Sequence, residues 1–565
     1  MKEIAVVNGT VYDPLNGIDG EKLDIFIRDG KIVTSVGKKA RTINASGKIV
    51  MPGGVDIHSH IAGSKVNSGR LLRPEDHRKD VELKTEHTYS GVGYSVPSTR
   101  TTGYRYAKMG YTTVFEPATP PLKTRHTHEE LDSIPLIDKA CFPLLGNNWL
   151  VMEYLREGRI NECAAYVSWM LKATKGYAIK IVDPGGVEAW GWGRFLRGLD
   201  DPVANFDITP REIVRGLCKV NKILNLPHII HVHTNNLGNP GNYRTTIETM
   251  DAVKDLWDGK RPIIHITHVQ FTGFSGSSWL NLGSGAPEIA DYVNKNHHVS
   301  VDLGQVIFGD TTTMTADGPF QYFLHKLSGN KWVNVDVEAE TGSGVVPFHY
   351  KRSNYVNAVQ WGIGLELALL VNDPWRVFMT TDHPNGGPFT SYPKVIAWLM
   401  SRKAREKTMS KINRTARRRL DLPTIDREYT LGEISTVTRA APARSLGLAN
   451  KGHLAVGADA DVAIYDLDPS KTDLEKNPIL LRRAFKEASF TLKGGDVVSK
   501  DGKIAGTSFG KTFYVESDVS PSLEADLVKE IESKFRDYYT IELDNYPISE
   551  NFLRNPSKIT CEADI

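Results

Sequence analysis

The sequence predicts an α/β fold, a (β/α)8 barrel of the TIM type with a small β-sandwich formed from both chain ends. Three observations predict it. Residues 51 to 445 alternate short apolar runs with longer helical patterns, as βα units around a parallel sheet do. Eight candidate strands can be counted there, at 54–60, 111–116, 136–145, 177–182, 228–233, 263–268, 298–303 and 376–382. Both ends of the chain are instead β-rich and share an idiom, "IRDGKIV" early and "SKDGKIA" late, whose Asp-Gly pairs read as hairpin turns.

Taken in order, residues 1–50 and 446–515 form the sandwich and 51–445 the barrel. Residues 516–565 read as one amphipathic helix and an extended arm, suited to subunit contacts. The stretches after strands one (61–110) and seven (304–375) exceed ordinary connection lengths, which predicts binding or assembly roles on the functional face.

Composition excludes several classes. The 565 residues carry a net charge of +2, so there is no overall basic footprint for nucleic acid. No window is apolar enough for a membrane span, and the N-terminal text lacks a signal-peptide core. Four scattered cysteines, with no C-x-x-C pair, argue against an iron–sulfur or Cys-type zinc site in this chain and fit a cytoplasmic location.

In a barrel of this kind the chemistry sits at the C-terminal ends of the strands. Residues of metal-binding or acid–base type gather there: His58 and His60 on strand one, Lys180 on four, His233 on five, His268 on six and Asp382 on eight. Asp56, His58 and His60 alternate, so on one strand they would share a face. Imidazoles and carboxylates suit zinc. A metal pair needs a bridging anion, and strands one, four, five and six offer no carboxylate at these positions. Lys180 meets the need if its amine, desolvated and neutral, has reacted with CO2. His58 and His60 then bind one metal with Asp382, and His233 and His268 bind the other. Asp382 is also the residue expected to move the proton.

Each position has a blander reading. Lys180 could be a buried salt-bridge partner, and Asp382 a helix cap. His233 is preferred to His231, which shares its face but lies deeper. His268 is preferred to His265, whose opposite parity should turn it toward the helices. His126 and His128 read as a surface loop or first helical turn, and His297 and His298 precede strand seven at the wrong end. The loop "DPGGVEAWGWG" follows strand four as an active-site loop, with Trp190 and Trp192 either lining a channel or packing. The basic run 401–419 reads as a solvated helix face or as a docking surface for an acidic partner or a carboxylate-rich substrate.

The H-x-H, Lys, His, His, Asp set, with "GKIVMPGGVDIHSH" before it and "GHLAVGADADVAIYD" after it, resembles the binuclear amidohydrolase superfamily. A narrower resemblance rests on "PGGVDIHSHIAGSKVN", "ATKGYAIKIVDPGGVEAWGWG", "THVQFTGF", "TTTMTADGP", "VEAETGSGVVPF" and "FMTTDHPNGGPFTSYP". These are similar to the amidohydrolase-type subunits of formylmethanofuran dehydrogenases. That resemblance implies two zinc ions bridged by N6-carboxylated Lys180. It implies interconversion of formate plus methanofuran with N-formylmethanofuran plus water, in the CO2 reduction of methanogenesis. It also implies partner subunits that carry tungsten or molybdenum pterin and iron–sulfur clusters. The rival readings are another cyclic-amide or N-acyl-amino-acid amidohydrolase, and a catalytically inactive scaffold.

Overall fold

A computed structural model describes residues 2–335, 343–539 and 541–565. Residues 336–342, which include the first half of the motif "VEAETGSGVVPF", and Thr540 in the tail lie outside the described residues.

Eight short parallel strands organise the middle of the chain: β1 (Gly54–Asp56), β2 (Tyr111–Thr119), β3 (Asp138–Pro143), β4 (Lys180–Val182), β5 (Ile230–His233), β6 (Ile264–Ile266), β7 (Val299–Asp302) and β8 (Val377–Phe378). β1 to β3 pair in order as one arc, and β4 to β8 as another. Two parallel bridges link the arcs, Leu144 to Lys180 and Ser59 to His383. Pairing therefore runs through all eight strands and returns to the first. Several strands are shorter than their sequence patterns suggest. β1 ends at Asp56 and β6 at Ile266, which leaves His58, His60 and His268 on the turns beyond the strand ends.

Both chain ends share one nine-stranded sheet, where Ile49–Pro52 pairs antiparallel with Val462–Tyr465. The expected sandwich is a single sheet curled over its own core. A bridge from Lys31 to Asp459 brings one edge back to the segment leading into Val462–Tyr465, and Val6, Ile27, Val462 and Leu492 fill the inside. The repeated Asp-Gly idiom makes the same turn twice. Asp29 and Gly30 have φ 47° and 81°, and Asp501 and Gly502 have 47° and 70°. Two positive φ values in succession are what a tight hairpin with right-handed strand twist requires.

The C-terminal boundary differs from the expectation. Strand Thr512–Asp518 leaves this sheet and pairs with Pro556–Glu562 and, at Thr512, with Lys139 of β3. Helix Pro521–Lys534 packs on helix Ile160–Thr174, tied by Arg159–Glu530 at 2.8 Å at that helix's start and by Lys534–Glu153 at 2.7 Å to the preceding helix Trp149–Arg156. The tail thus grips its own chain.

The two long connections are structured. Residues 304–375 contain the antiparallel strands Gly309–Thr315, Val333–Val335 and Ser343–Tyr350 and the helix Gly318–Ser328. Val66 and Val96 from the first connection join Met314 and Val345 from the second in one small core. Within the basic run, Arg405 is buried and donates to the carbonyls of Trp398 (2.8 Å) and Arg427 (2.9 Å), while its basic neighbours Arg402, Lys403 and Lys407 are exposed.

A buried ion network joins the terminal sheet to the start of β3. Lys451 pairs with Asp138, with Asp461 at 2.7 Å and with Asp459 at 2.9 Å. Lys493 reaches Asp138 at 2.8 Å and Asp461 at 3.0 Å. Burial pushes the Asp138 carboxyl up, but the two ammonium groups outweigh it and hold the group well below the usual carboxylate range. The contribution of Asp138 to stability is therefore in place above about pH 4 and is lost as acid carries the folded group through its depressed value. Lys451→Met strands buried carboxylates and is expected to cost about 3–5 kcal/mol, measured by denaturant unfolding.

Candidate metal centre

Every predicted site residue is buried; His58, His60, His233, His268 and Asp382 lie at or just past the C-terminal ends of their strands, whereas Lys180 sits deeper, at the start of β4. His58 Nε2 is 3.0 Å from Asp382 Oδ1, and His60 Nε2 is 3.4 Å from the same oxygen. The metal-capable atoms of His58, His268 and Asp382 lie within 4.8 Å of one another. The His268 ring is 5.4 Å from His58 and 4.7 Å from His233. Lys180 begins β4, in register with His231. The Lys180 Nζ and the His268 Nδ1 are both buried with no hydrogen-bond partner among the described residues.

Local backbone geometry aims two of these side chains. His268 has φ 38° and Asp382 φ 49°, left-handed values that non-glycine residues adopt only when their surroundings impose them. Gly304 makes the His268 turn possible. A Cβ there would lie 2.3 Å from the His268 Cβ. The Asn385 Nδ2 donates to Asp382 Oδ1 at 2.9 Å, while its Oδ1 accepts from the Met314 N–H at 2.6 Å. The long connection after β7 thereby braces the Asp382 carboxylate.

Burial dominates the electrostatics. It holds the imidazoles of His58, His233 and His268 well below the usual range, so these rings are neutral and able to ligate. It depresses the Lys180 amine to about 7, against the pull of Asp302 and Asp382. It raises the Asp382 carboxyl, with His60 opposing. His60 is the exception. Burial pushes it down, but Glu116 and Asp382 outweigh this and the net direction is up.

Three residues of the centre escaped sequence reasoning. Glu116, within β2, accepts from His60 Nδ1 at 2.8 Å and from the backbone N–H of Ile61 at 2.7 Å. Asp302, at the end of β7, accepts from the His268 N–H at 2.8 Å, from Thr380 Oγ1 at 2.9 Å and from His265 Nε2 at 3.1 Å. Both acids lie at or next to the end of a predicted strand, so the rule that picked out the histidines also marked them. Lys65, on helix Ser64–Leu72, is buried with its amine donating to the Ala118 carbonyl, and carried no comparable signal.

Other expectations are corrected. His265 faces inward, in register between His231 and Ser300, with its ring 4.7 Å from His231. Parity counted back from His268 fails because that residue lies past the strand on a left-handed turn. Asp56 stays away from the centre, held by Tyr392, by Tyr106 at 2.7 Å and by the His58 N–H at 3.2 Å. His128 is buried on helix Thr124–Asp132, with Nε2 3.1 Å from the Thr174 carbonyl.

A cavity of about 850 Å³ is lined by Phe195, Phe271, Trp279, Phe320 and Phe348 and also by Asp183 and Asp317. Asp317 Oδ2 is 3.1 Å from His233 Nε2. Burial raises both carboxyls, Asp317 to about 7, and the charge of Asp317 pushes Asp183 further. The loop after β4 contributes Phe195 and Leu196 to this wall, whereas Trp192 stays exposed and donates to Glu188 at 2.8 Å.

The model of the amidohydrolase family matches residues 41–499, and the chain belongs to that family. Within it, the sequence is 55% identical to Protein FwdA of Methanocaldococcus jannaschii over 99% of both chains. It is 36% identical to a component of the formyltransferase/hydrolase complex Fhc of Methylorubrum extorquens, over 96% of both chains. The crystal structure of that organism's FhcABCD complex with methylofuran matches with a TM-score of 0.89 at 34% identity, covering 99% of this chain and 100% of that one. The narrower resemblance read from the motifs thus extends over the whole chain. A D-aminoacylase crystal structure, at 15% identity and TM-score 0.50 over 90% of this chain and 99% of that one, shares the amidohydrolase fold.

Membership implies a binuclear metal site, and the residues fit one. Neutral imidazoles and a carboxylate are donors that suit such a pair, and the Lys180 amine beside them is buried without a partner among the described residues.

Proposed function

We propose that this chain is the amidohydrolase subunit of a formylmethanofuran dehydrogenase, interconverting formate plus methanofuran with N-formylmethanofuran plus water. The observation that carries the reading is the convergence of His58, His60, His268 and Asp382 in a chain 55% identical to FwdA, with an aromatic-lined cavity reached from His233 through Asp317. The eight-strand circuit is read as a closed (β/α)8 barrel, with the curled terminal sheet as its second domain and residues 516–565 available for subunit contacts. The location is read as cytoplasmic.

The proposed centre holds two zinc ions. His58, His60 and Asp382 would hold one, His233 and His268 the other, and Lys180, once N6-carboxylated, would supply the shared anionic ligand. When bound, the pair would polarise the formyl carbonyl and lower the pKa of water. The protein supplies the remainder. Asp382, raised by burial, takes the proton of the attacking water and delivers it to the leaving nitrogen. In condensation the same carboxylate receives a proton from the amine and helps water depart. Glu116 keeps the His60 ring oriented through its Nδ1.

The cavity, far larger than formate needs, accepts the aromatic body of the amine. Asp183 and Asp317 in the cavity wall offer hydrogen-bonding oxygens to the amine head. Asp183→Asn is expected to raise KM for methanofuran roughly tenfold while leaving KM for formate and the zinc content unchanged, as steady-state kinetics and metal analysis would show. Partner subunits carrying tungsten or molybdenum pterin and iron–sulfur clusters would supply the formate.

The test is direct. Zinc-loaded protein given N-formylmethanofuran should release formate and free amine. Turnover of hydantoins or N-acyl amino acids without release from N-formylmethanofuran would favour a different amidohydrolase. Less than one zinc per chain after careful purification would favour a scaffold.

A further inference from the structure

A row of imidazoles descends from the centre along β5. The His58 Nδ1 is 2.9 Å from His231 Nε2. The His231 Nδ1 is 3.0 Å from His228 Nε2, and the His228 Nδ1 is 2.8 Å from the backbone carbonyl of Ser445. All three rings are at most 1% exposed. Helix Ala441–Ser445, which provides that carbonyl, ends where the chain leaves the strand circuit for the terminal sheet.

A neutral imidazole has one N–H donor and one lone-pair acceptor, and which nitrogen carries the hydrogen follows from its partners. The row has only one consistent assignment. A carbonyl can only accept, so His228 must donate from Nδ1 and keep a lone pair on Nε2. His231 must then donate from Nδ1 to that lone pair, and keep its own on Nε2. His58 must donate from Nδ1 in turn. Its Nε2 then holds a lone pair 3.0 Å from Asp382 Oδ1, so without a metal the hydrogen between these two atoms must be carried by the Asp382 carboxyl. The nearby Asp302 Oδ2, 3.6 Å from His58 Nδ1, asks for a proton on the same nitrogen.

We infer that His231 and His228 are positioning residues which, anchored on the Ser445 carbonyl, lock His58 in the Nδ1–H tautomer and so present its Nε2 to a metal before any metal arrives. The lock works in one direction only. Reversing the row would require a proton from Ser445 O, which has none to give. The row is therefore not a path for protons to solvent. It transmits a fixed choice of nitrogen from the far end of β5 to the mouth. The inference rests on the reading of His58 as a ligand, but its first test does not.

That test is ring-nitrogen NMR on metal-free protein selectively labelled with 15N-histidine, with His58, His231 and His228 assigned by single substitutions. The expected result is a pyrrole-like Nδ1 and a pyridine-like Nε2 for all three. A His58 ring protonated on Nε2 would overturn the inference whatever the fate of the metal reading. The second test is His228→Phe, which removes the anchor and contacts no proposed ligand. His231 should then show averaged or reversed nitrogen shifts, and zinc affinity measured by chelator competition should fall about 10- to 100-fold, the usual effect of losing a partner behind a ligand. Unchanged His231 shifts in a folded His228→Phe protein would overturn it. The wild-type spectrum decides the question alone if that variant does not fold. A correct tautomer in protein that binds no zinc would leave the lock standing and remove the metal reading.

Discussion

Asp382→Asn is expected to lower kcat for N-formylmethanofuran hydrolysis by at least about 10²- to 10⁴-fold, the range for loss of a positioned general acid–base. The amide keeps the volume and can still meet Asn385, so the fold should persist with an unfolding midpoint close to that of the parent. What disappears is the capacity to take a proton, which burial raises in the parent carboxyl. The measurement is formate release together with zinc per chain. If zinc is retained and the rate falls, the proton role is isolated. A variant with full zinc and undiminished turnover would remove Asp382 from the chemistry.

Lys180→Ala should have an effect of comparable size, with a different signature. It is expected to lose the metal pair itself, with zinc falling toward none and activity falling with it. The parent protein offers a pH test with a definite sign. Burial depresses the Lys180 amine to about 7. Below that value the group is an ammonium ion, which cannot attack CO2. Above it the neutral amine predominates. Reconstitution of metal-free protein with zinc and bicarbonate should therefore speed up as pH rises through about 7, and then level off. Lys180→Arg, which stays charged across this range, should not reconstitute at any of these pH values. Reconstitution of the parent that is independent of bicarbonate would dispose of the carbamate.

The architecture was legible in the sequence because periodicity survives where contacts do not. Apolar runs marked all eight strands of the circuit, and the Asp-Gly idiom marked two hairpins of closely similar backbone geometry. Strand ends were legible less well. His58, His60 and His268 looked like strand residues because β1 and β6 stop early and the chain continues in turns of irregular φ. For the same reason His265 was assigned to the wrong face. Glu116 and Asp302 were overlooked although they lie at or beside strand ends, because histidine and lysine draw more attention there than acids. Asn385, Gly304 and the Ser445 carbonyl were beyond reach. Their roles arise from approach in space, and a backbone carbonyl has no letter of its own.

The arc from β1 to β3 and the arc from β4 to β8 meet at the mouth through the bridge between Ser59 and His383. Each partner sits beside a proposed ligand, and the two come from the first and last strands of the circuit. A growing polypeptide on the ribosome therefore has no complete cation site until its eighth strand has emerged and found the first. Loop closure over so long a span is slow. A metal pair at the proposed centre would thus be captured as one of the last events of maturation, and a prematurely terminated chain would leave the ribosome without ever having held it.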